Sequence, residues 1–434
     1  MSLEEWKSEF EGHRILIWGY GREGKASASF IHQICPDMPF VICDQSEKAL
    51  LAAKANHPYA DVLPQQQIDF SSFDLIMKAP GIVVGADVDL KKITGETQLF
   101  LKHYADRTIG VTGTKGKSTT TSLVYAMARE EKPVHLVGNI GTPCFEVIEQ
   151  MENGDYAAFE ISCHQLEFCP YSPHVAVFLN LYPEHLDHYG TFPAYGAAKA
   201  NIYRHQKAGD ILIADPGIPG IVNERPDLIR IGSDVRAEGK TLIIPGRQLD
   251  ADSCALLGQH NYQNAAAAYA AVQALGISDA SVRHALQTFH PLAHRLEDLG
   301  ERDGIRYVND SISTIGQATI KALDALPAVD TVLIGGMDRG IPYDDLEDEL
   351  AGHPMLHIIL MYASGKRIYR ELQKKQYPME RVLLVDDLEE AVMAARQVTE
   401  KGKICLLSPA AASYDHFKNF EERGDAFRKL TVGK

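Results

Sequence analysis

The feature that most constrains the fold is an alternation between short apolar runs and longer amphipathic stretches along the chain. Each run is rich in β-branched or aromatic residues and ends in Gly, Pro, Ser, Asp or Asn. Such runs are typical of buried parallel strands connected by helices. We therefore predict an α/β protein whose parallel sheets carry ligands at the carboxyl ends of their strands. The runs are RILIWG, FVICD, DLIMKAP, TIGVTG, AAFEIS, VAVFLN, DILIAD, TVLIGG, HIILM and ICLLSP.

The chain has 434 residues, which is enough for several domains, since domains typically hold about 100–200 residues each. The strand pattern restarts at TIGVTGTKGKST and again after HRLE. We predict three α/β domains. They are a Rossmann-like N-terminal domain over residues 1–94, a P-loop ATPase-like central domain over 95–297 and a Rossmann-like C-terminal domain over 298–434.

The composition restricts the classes of partner. A formal charge of −15 disfavours nucleic acid as a general partner, because its phosphate backbone would be repelled. The seven cysteines form no CxxC pair, which is typical of reduced thiols. The N-terminus lacks the basic and apolar regions of a signal peptide, and no apolar stretch is long enough for a transmembrane helix. We expect a cytoplasmic, monomeric protein with no membrane partner.

A phosphate-binding loop is predicted where TIGVTG runs into GTKGKST and then into a helical pattern. Glycines in such a loop let backbone N–H groups approach the phosphates of a nucleotide. Lys117 would place its charge on the β- and γ-phosphates, and Ser118 or Thr119 would hold Mg²⁺. Val111 stands where the usual pattern has glycine, but the strand and helix context fits. The sequence therefore predicts ATP binding.

A second glycine loop follows the first strand, where Gly19, Gly21 and Gly24 spell GxGxxG and Asp44 ends the next strand. In a dehydrogenase this pattern binds a dinucleotide, so an NAD-dependent oxidoreductase is an alternative. The same strand, turn and helix can also bind the diphosphate of another nucleotide. We favour a nucleotide-diphosphate site here, because the chain has no recognisable hydride-transfer residues downstream and does have a phosphate loop.

A series of strings from Gly113 to Phe427 resembles the Mur ligase family, in the family's own order. The most informative string is SPAAASYDHFKNFEERG, which is similar to the glutamate-adding branch. The resemblance implies an ATP-dependent ligase of peptidoglycan precursor synthesis. It would join glutamate to UDP-N-acetylmuramoyl-L-alanine through an acyl phosphate. The strings are GTKGKST, NIG, FEISCHQLE, NLYPEHLDHYG, AAKANIY, GQHNYQNAAAA, HRLE, NDSISTIGQA and LLSPAAASYDHFKNFEERGDAF.

The resemblance also implies a role for each matched residue. The catalytic residues would be Lys117, Glu160, His185 and Lys199. The ATP-binding residues would be Gly113, Thr114, Lys115, Gly116, Lys117, Ser118, Thr119, Asn264, Arg295 and Asp310. The Mg²⁺ ligands would be Ser118, Glu160, His185 and Lys199. The UDP substrate would contact Gly21, Arg22, Asp44, Gly81 and Asn139. Glutamate would contact Thr314, Arg339, Ser408 and Phe420.

In the family, the lysine that matches Lys199 is carbamoylated by CO₂, which turns a cation into a carboxylate-like anion. The resemblance therefore implies a carbamoylated Lys199 that helps to position Mg²⁺. A lysine needs a depressed pKa to react in this way, because only the free amine is nucleophilic. On the helix AYGAAKANIY we expect Lys199 to be exposed, so that its replacement by alanine would cost little stability.

The sequence departs from the family pattern at several of these positions. Lys115 replaces a frequent asparagine, and Arg22 and Glu23 replace small hydroxyl residues. Ile312 stands where the glutamate-adding branch commonly has a lysine, and Arg339 stands where a second lysine is expected. Arginine can pair with a carboxylate, and can do so with two hydrogen bonds. We expect D-glutamate ahead of L-glutamate, and the altered NDSISTI segment keeps the L-glutamate variant open.

A nucleotide-binding regulator without activity would share the phosphate loop and is a third class of function. The presence of Lys117, Glu160, His185 and Lys199 argues against it.

Overall fold

A computed structural model describes residues 3–221, 227–252, 254, 256–290, 293–375 and 377–433. The chain forms two compact units. The first unit comprises Met1–Cys254 and Asn261–Phe289, and the second comprises Ala255–His260 and His290–Lys434. The domain boundaries expected at residues 94 and 297 stay predictions. Within the described residues, no helix is both long and apolar enough to cross a membrane.

Every apolar run predicted as a strand forms one. The strands are β1 (Ile15–Trp18), β2 (Phe40–Asp44), β3 (Asp61–Pro64), β4 (Leu75–Lys78), β5 (Ile93–Thr94), β6 (Thr108–Thr112), β7 (Val134–Gly138), β8 (Tyr156–Glu160), β9 (Val175–Phe178), β10 (Ile211–Ala214), β11 (Leu228–Arg230), β12 (Arg236–Glu238), β13 (Thr241–Ile244), β14 (Arg247–Asp250), β15 (Glu297–Arg302), β16 (Ile305–Asn309), β17 (Val329–Gly335), β18 (His357–Met361), β19 (Val382–Val385) and β20 (Ile404–Leu407).

The helices follow the amphipathic stretches between these strands. They are α1 (Leu3–Lys7), α2 (Arg22–Ile34), α3 (Glu47–Asn56), α4 (Glu96–Tyr104), α5 (Lys117–Ala128), α6 (Ile148–Glu152), α7 (Cys163–Leu166), α8 (Leu186–Tyr189), α9 (Phe192–Arg204), α10 (Gln259–Gln273), α11 (Asp279–Thr288), α12 (Gly316–Ala325), α13 (Asp344–Ala351), α14 (Tyr362–Lys374), α15 (Leu388–Val398) and α16 (Phe420–Thr431).

The first unit contains two parallel sheets and a small antiparallel one. The first sheet has the order β3-β2-β1-β4-β5, and the second has the order β11-β10-β9-β6-β8-β7. In each sheet the strand before a glycine loop, β1 or β6, lies between two parallel neighbours. Loops at such positions are where open α/β sheets bind ligands. The antiparallel sheet β12-β13-β14 was not predicted.

The first sheet is buried on both faces, as expected of a parallel sheet covered by helices. Ile15 and Ile17 of β1 belong to one apolar cluster. Leu16 and Trp18, which alternate with them, belong to another on the opposite face. This alternation explains why the strand reads as a continuous apolar run rather than as an alternating pattern.

The second unit has one sheet of order β15-β16-β20-β17-β18-β19. β15 pairs antiparallel with β16, and the other pairings are parallel. Its two faces are covered by separate apolar clusters, one containing Leu406 and the other Leu407 of β20. The α/β class and the Rossmann-like form predicted for the C-terminal part are confirmed.

Candidate active site

The predicted phosphate loop lies between the carboxyl end of β6 and the first turn of α5. Gly113 and Gly116 have φ angles of 151° and 86°, which glycine adopts readily. At Gly116 a Cβ atom would lie 2.6 Å from the Asn264 Oδ1 atom, so a larger residue would require Asn264 to shift. Asn264, which lies in α10 and was predicted to contact ATP, therefore packs against the loop. Ser118 and Thr119 follow in the first helical turn, where backbone N–H groups favour phosphate.

Side chains from the segment after β9 and from α9 hold the loop in this shape. The Asn180 Oδ1 atom accepts a hydrogen bond from the Lys115 backbone N–H at 2.9 Å. The Asn180 amide donates to the Lys115 carbonyl oxygen at 3.0 Å. Thr114 lies with its hydroxyl 3.1 Å from the hydroxyl of Tyr195. The loop is thus preorganised by residues outside the glycine motif.

Two lysine amines converge on the carbonyl oxygens of this loop. The Lys117 Nζ atom donates to the oxygens of Gly113 and Thr114 at 3.1 and 3.0 Å. The Lys199 Nζ atom, from α9, donates to the Gly113 oxygen at 2.8 Å. Lys117 and Lys199 are therefore brought together at the end of β6, as the predicted roles require.

Lys199 is buried, with 1% of its surface exposed, so the expectation of an exposed lysine was wrong. Helix α9 packs over β9 and β6 and carries the side chain inward. Burial, and secondarily the charge of Lys117, lowers the pKa of Lys199 to about 7. A substantial fraction of the side chain is then free amine near neutral pH. The Lys199 Nζ atom lies 5.0 Å from the centre of the Tyr195 ring.

Glu160 ends β8 next to the loop and is fully buried. The Asn139 amide donates to its Oε1 atom at 2.9 Å. Its Oε2 atom is buried and has no hydrogen-bond partner among the described residues. A buried carboxylate oxygen without a partner is costly. A cation such as Mg²⁺ would satisfy it, and hard oxygen ligands are those that Mg²⁺ prefers. The chemistry of this position therefore fits the predicted metal role.

His185 is the N-cap residue that precedes α8 and has a left-handed conformation, with φ 56°. Its imidazole lies near the Glu184 carboxylate, with Nε2 and Oε2 4.0 Å apart. Burial lowers the pKa of His185, and the charges of Lys199 and Lys117 lower it further. The neutral imidazole is the form that can bind a metal ion. In the described part of the chain, no three His, Cys, Asp or Glu side chains form a metal-binding group by themselves.

A cleft of about 230 Å³ lies at the other predicted nucleotide site, beside the first glycine loop. Gly21, Arg22 and Asn139, all predicted to contact the UDP substrate, line it. Gly81 lies in the adjacent loop after β4, which Lys78 holds through hydrogen bonds to the Pro80 and Ile82 oxygens at 2.7 and 3.0 Å.

Asp44 supports the first glycine loop. Its Oδ2 atom accepts from the Tyr20 backbone N–H at 2.7 Å, and Oδ1 accepts from that of Ser46 at 2.8 Å. Both carboxylate oxygens therefore have backbone partners. The contact of Asp44 with uracil stays a prediction.

In the second unit, Asp310 is the centre of a buried hydrogen-bond network. Its Oδ2 atom accepts from the hydroxyl of Ser408 at 2.9 Å and from that of Ser313. The Leu296 backbone N–H donates to Oδ1 at 3.2 Å. Burial raises the pKa of Asp310 to about 6. Asp310, which was predicted to bind ATP, is thus in contact with Ser408, which was predicted to bind the substrate glutamate. The contacts of both residues with their ligands stay predictions.

The other predicted residues of the second unit lie in its loops, except for Phe420 at the start of α16. The Arg295 Nε atom is a buried donor with no partner among the residues described, which suits binding of an anion. Arg339 is exposed and donates to the Thr314 carbonyl oxygen at 3.0 Å. This bond connects two residues that were predicted to bind the substrate glutamate. Phe420 begins α16, and its carbonyl oxygen accepts from the Ser311 hydroxyl at 2.8 Å.

The sequence prediction missed two residues at the phosphate loop. Asn180 follows strand β9, and Glu184 forms an ion pair with Lys115 at 2.7 Å. Asn180 could have been found, because it follows a predicted strand at the edge where ligands bind. The Lys115–Glu184 pair depends on how two loops meet, for which the sequence has no local signal.

Comparison with known proteins connects this geometry to a family. The model of the Mur ligase middle domain matches residues 111–272. UDP-N-acetylmuramoylalanine--D-glutamate ligase of Geobacillus kaustophilus is 34% identical, with 96% of this chain and 97% of that protein covered. The chain belongs to the Mur ligase family. UDP-N-acetylmuramoyl-L-alanine--L-glutamate ligase of Xanthomonas campestris pv. campestris is 33% identical to this Mur ligase, with 98% and 96% covered.

Solved structures agree with the fold of this Mur ligase. MurF of Thermotoga maritima in complex with ADP is 16% identical, with a TM-score of 0.58 and 90% of this chain and 94% of that chain covered. MurC of the same organism is 17% identical, with a TM-score of 0.57 and 96% and 98% covered. The family assignment makes this Mur ligase an enzyme that forms amide bonds.

Proposed function

We propose that this Mur ligase adds glutamate to the carboxylate of UDP-N-acetylmuramoyl-L-alanine, with hydrolysis of ATP, in peptidoglycan precursor synthesis. The observation that carries the proposal is the convergence of Lys117, Lys199 and Glu160 at the phosphate loop. The charges needed to activate a carboxylate with ATP are brought together there. The two glutamate-ligase relatives support the choice of amino acid.

The reaction needs a carboxylate to attack the γ-phosphate of ATP, which forms an acyl phosphate and releases ADP. The amine of glutamate then attacks the acyl carbon and expels phosphate. Both partners of the first step are anions, so the site must neutralise their charge. The first turn of α5 and the Lys117 ammonium would do so at the phosphates. The Lys117 side chain already lies along the loop, so little reorganisation is needed.

Mg²⁺ would be held by Glu160, His185 and Ser118, and it would supply further charge neutralisation for the phosphates and the carboxylate. The buried Glu160 Oε2 atom, for which the described chain supplies no hydrogen-bond partner, supports this role. Asn139 fixes the orientation of the same carboxylate through its other oxygen. Residues that orient a ligand in this way commonly matter for metal affinity.

We propose that Lys199 carries a carbamate. The Lys199 ammonium first loses a proton to solvent, and the free amine then attacks CO₂. A C–N bond forms as one C=O π bond of CO₂ breaks, and a second proton leaves to solvent, so that a buried cation becomes an anion. The lowered pKa of Lys199 supports this chemistry, since it supplies free amine near neutral pH. The site around it contains the Lys117 ammonium, which would stabilise the new negative charge.

For the amino acid, we propose that Arg339 pairs with a carboxylate of glutamate. Arg339 is exposed, and its hydrogen bond to the Thr314 oxygen positions the guanidinium at the loop predicted to bind glutamate. D-glutamate is the isomer that we propose. L-glutamate is the second candidate, because Ile312 cannot supply the lysine charge of the common D-glutamate pattern and the Xanthomonas relative is named for L-glutamate.

The test of the proposed function is phosphate release from ATP in the presence of UDP-N-acetylmuramoyl-L-alanine and either D- or L-glutamate. Release should require both the precursor and one glutamate isomer, and mass spectrometry should detect the precursor extended by one glutamate. With the precursor present, release with D-glutamate and not with L-glutamate would confirm D-glutamate as the substrate. Release with L-glutamate and not with D-glutamate would make L-glutamate the substrate instead. NAD turnover without phosphate release would refute the ligase proposal.

Arg339→Ala is expected to raise the KM for glutamate by about ten- to a hundredfold, because a charge-assisted hydrogen bond is worth about 1.5–3 kcal/mol. The KM for ATP should change little. Steady-state kinetics with each substrate varied in turn measures both. The matched control is Arg370→Ala, an exposed arginine of α14 in the same unit. A raised KM for ATP with an unchanged KM for glutamate would place Arg339 at the nucleotide instead.

A further inference from the structure

Glu23 is an unusual residue for the cleft beside the first glycine loop. It lies in the first turn of α2 and lines the cleft together with Gly21 and Arg22. Under the proposed function, this cleft binds the diphosphate of the UDP precursor, and the Glu23 carboxylate is part of its lining. A carboxylate anion at that point opposes binding of a diphosphate.

The position of the Glu23 carboxylate is fixed from the opposite wall of the cleft. The Gln165 amide donates to its Oε1 atom at 2.7 Å. Gln165 is itself held by the capping box of α7, where its side-chain oxygen accepts from the Ser162 backbone N–H at 2.8 Å. Glu23 therefore cannot swing into solvent without losing this contact. The Glu23 carboxylate stays beside the space that the diphosphate would fill.

The charges around Glu23 come from several elements. Burial raises the pKa of Glu23 to about 7, while the hydrogen bond from Gln165 and the charges of Lys78 and Arg22 lower it. Glu96 of α4 and Cys144 also interact electrostatically with Glu23. His164 lines a small cavity behind the carboxylate. The titratable groups that face Glu23 are thus Arg22, Lys78, Glu96, Cys144 and His164.

Arg22 and Glu23 are the charged residues that line the cleft. With Glu23 ionised, their charges cancel. With Glu23 protonated, the guanidinium and the amino end of α2 remain and favour an anion. Arg22 is held in place by hydrogen bonds to the carbonyl oxygens of Asn139 and Gly141.

We propose that binding of the UDP precursor to this cleft is coupled to uptake of a proton by Glu23, which makes Glu23 a pH-dependent determinant of substrate affinity. The inference rests on the proposed function, because it takes the cleft as the UDP site. The proton comes from solvent and stays on the carboxyl group while the diphosphate is bound. The affinity for the precursor therefore falls as the pH rises through the pKa of Glu23 in the free protein.

The experiment is isothermal titration calorimetry of the full chain with UDP-N-acetylmuramoyl-L-alanine, without ATP or glutamate. The wild-type Kd should rise about tenfold between about pH 6 and about pH 8. Near neutral pH, the binding heat should depend on the ionisation enthalpy of the buffer, as expected for uptake of about half a proton. Both effects report proton linkage, which a merely structural role of Glu23 would not produce.

Glu23→Gln keeps the shape of the side chain and removes the titration, so its Kd should be nearly independent of pH. Glu23→Thr, which restores a small hydroxyl residue, should behave in the same way and serves as a second variant if the first fails to fold. Glu47→Gln, an exposed glutamate in the first turn of α3, is the matched control and should keep the wild-type pH dependence.

Wild-type binding that does not change with pH, or a pH dependence in both Glu23 variants as large as that of the wild type, would overturn the inference while leaving the proposed UDP site in place. An absence of binding at every pH would overturn the proposed site and this inference with it.

Discussion

Lys199→Ala is expected to lose nearly all ligase turnover, by more than about a hundredfold, since neutralisation of charge at a metal-assisted site is worth several kcal/mol. The side chain is buried beside the phosphate loop and close to Lys117. Removal of the proposed carbamate would leave the negative charge of the phosphates and carboxylate poorly balanced. Turnover is measured by phosphate release at saturating substrates.

A small carboxylic acid should restore part of the activity of Lys199→Ala. Acetate or formate can enter the space left by the side chain and supply the missing anion. Acetamide has a similar size but no charge, and should fail. Because Lys199 is buried, the variant leaves a cavity, so its fold must be checked by circular dichroism and thermal unfolding. A folded Lys199→Ala variant with full activity and no added carboxylate would refute the carbamate proposal.

Lys117→Ala is expected to reduce kcat by about a hundred- to a thousandfold, the usual effect of removing one preorganised donor from a transition state. The Lys117 amine lies along the loop carbonyl oxygens at 3.1 and 3.0 Å, where it needs little movement to meet a phosphate. Single-turnover kinetics separates the loss in the chemical step from weaker ATP binding.

Lys115→Ala is the matched control variant for Lys117→Ala. Lys115 is in the same loop, but its ammonium is paired with Glu184 at 2.7 Å, and its side chain is about 38% exposed. A partly exposed ion pair contributes little, so the loss of activity should be much smaller than for Lys117→Ala. Equal losses in the two variants would indicate general damage to the loop. Near-normal turnover in Lys117→Ala would refute the assignment of this loop to ATP.

The sequence predicted the strands and the phosphate loop because each depends on neighbouring residues. Runs such as VAVFLN are apolar because both faces of a parallel sheet are covered. The glycines at 113 and 116 mark backbone with positive φ. The antiparallel sheet β12–β14 escaped prediction because its strands are short and only partly buried.

Features that depend on contacts between distant segments could not be predicted. The sequence predicted an exposed Lys199 in a helix rich in alanine, yet the packing of α9 on β9 and β6 buries it. The resemblance to the family gave Asp310 as a candidate, but its bonds to Ser313 and to Ser408, which is 98 residues away, follow from the sheet order. Residue identities gave the candidates, and only tertiary packing revealed their surroundings.

The central claim is that the precursor carboxylate is activated as an acyl phosphate at the loop that contains Lys117. It is tested most directly with UDP-N-acetylmuramoyl-L-alanine labelled with oxygen-18 in the alanyl carboxylate. When phosphate leaves an acyl phosphate, it retains one oxygen of that carboxylate. Mass spectrometry of the released phosphate should therefore find one labelled oxygen for each amide bond formed. Unlabelled phosphate, released while the amide product accumulates, would contradict the claim.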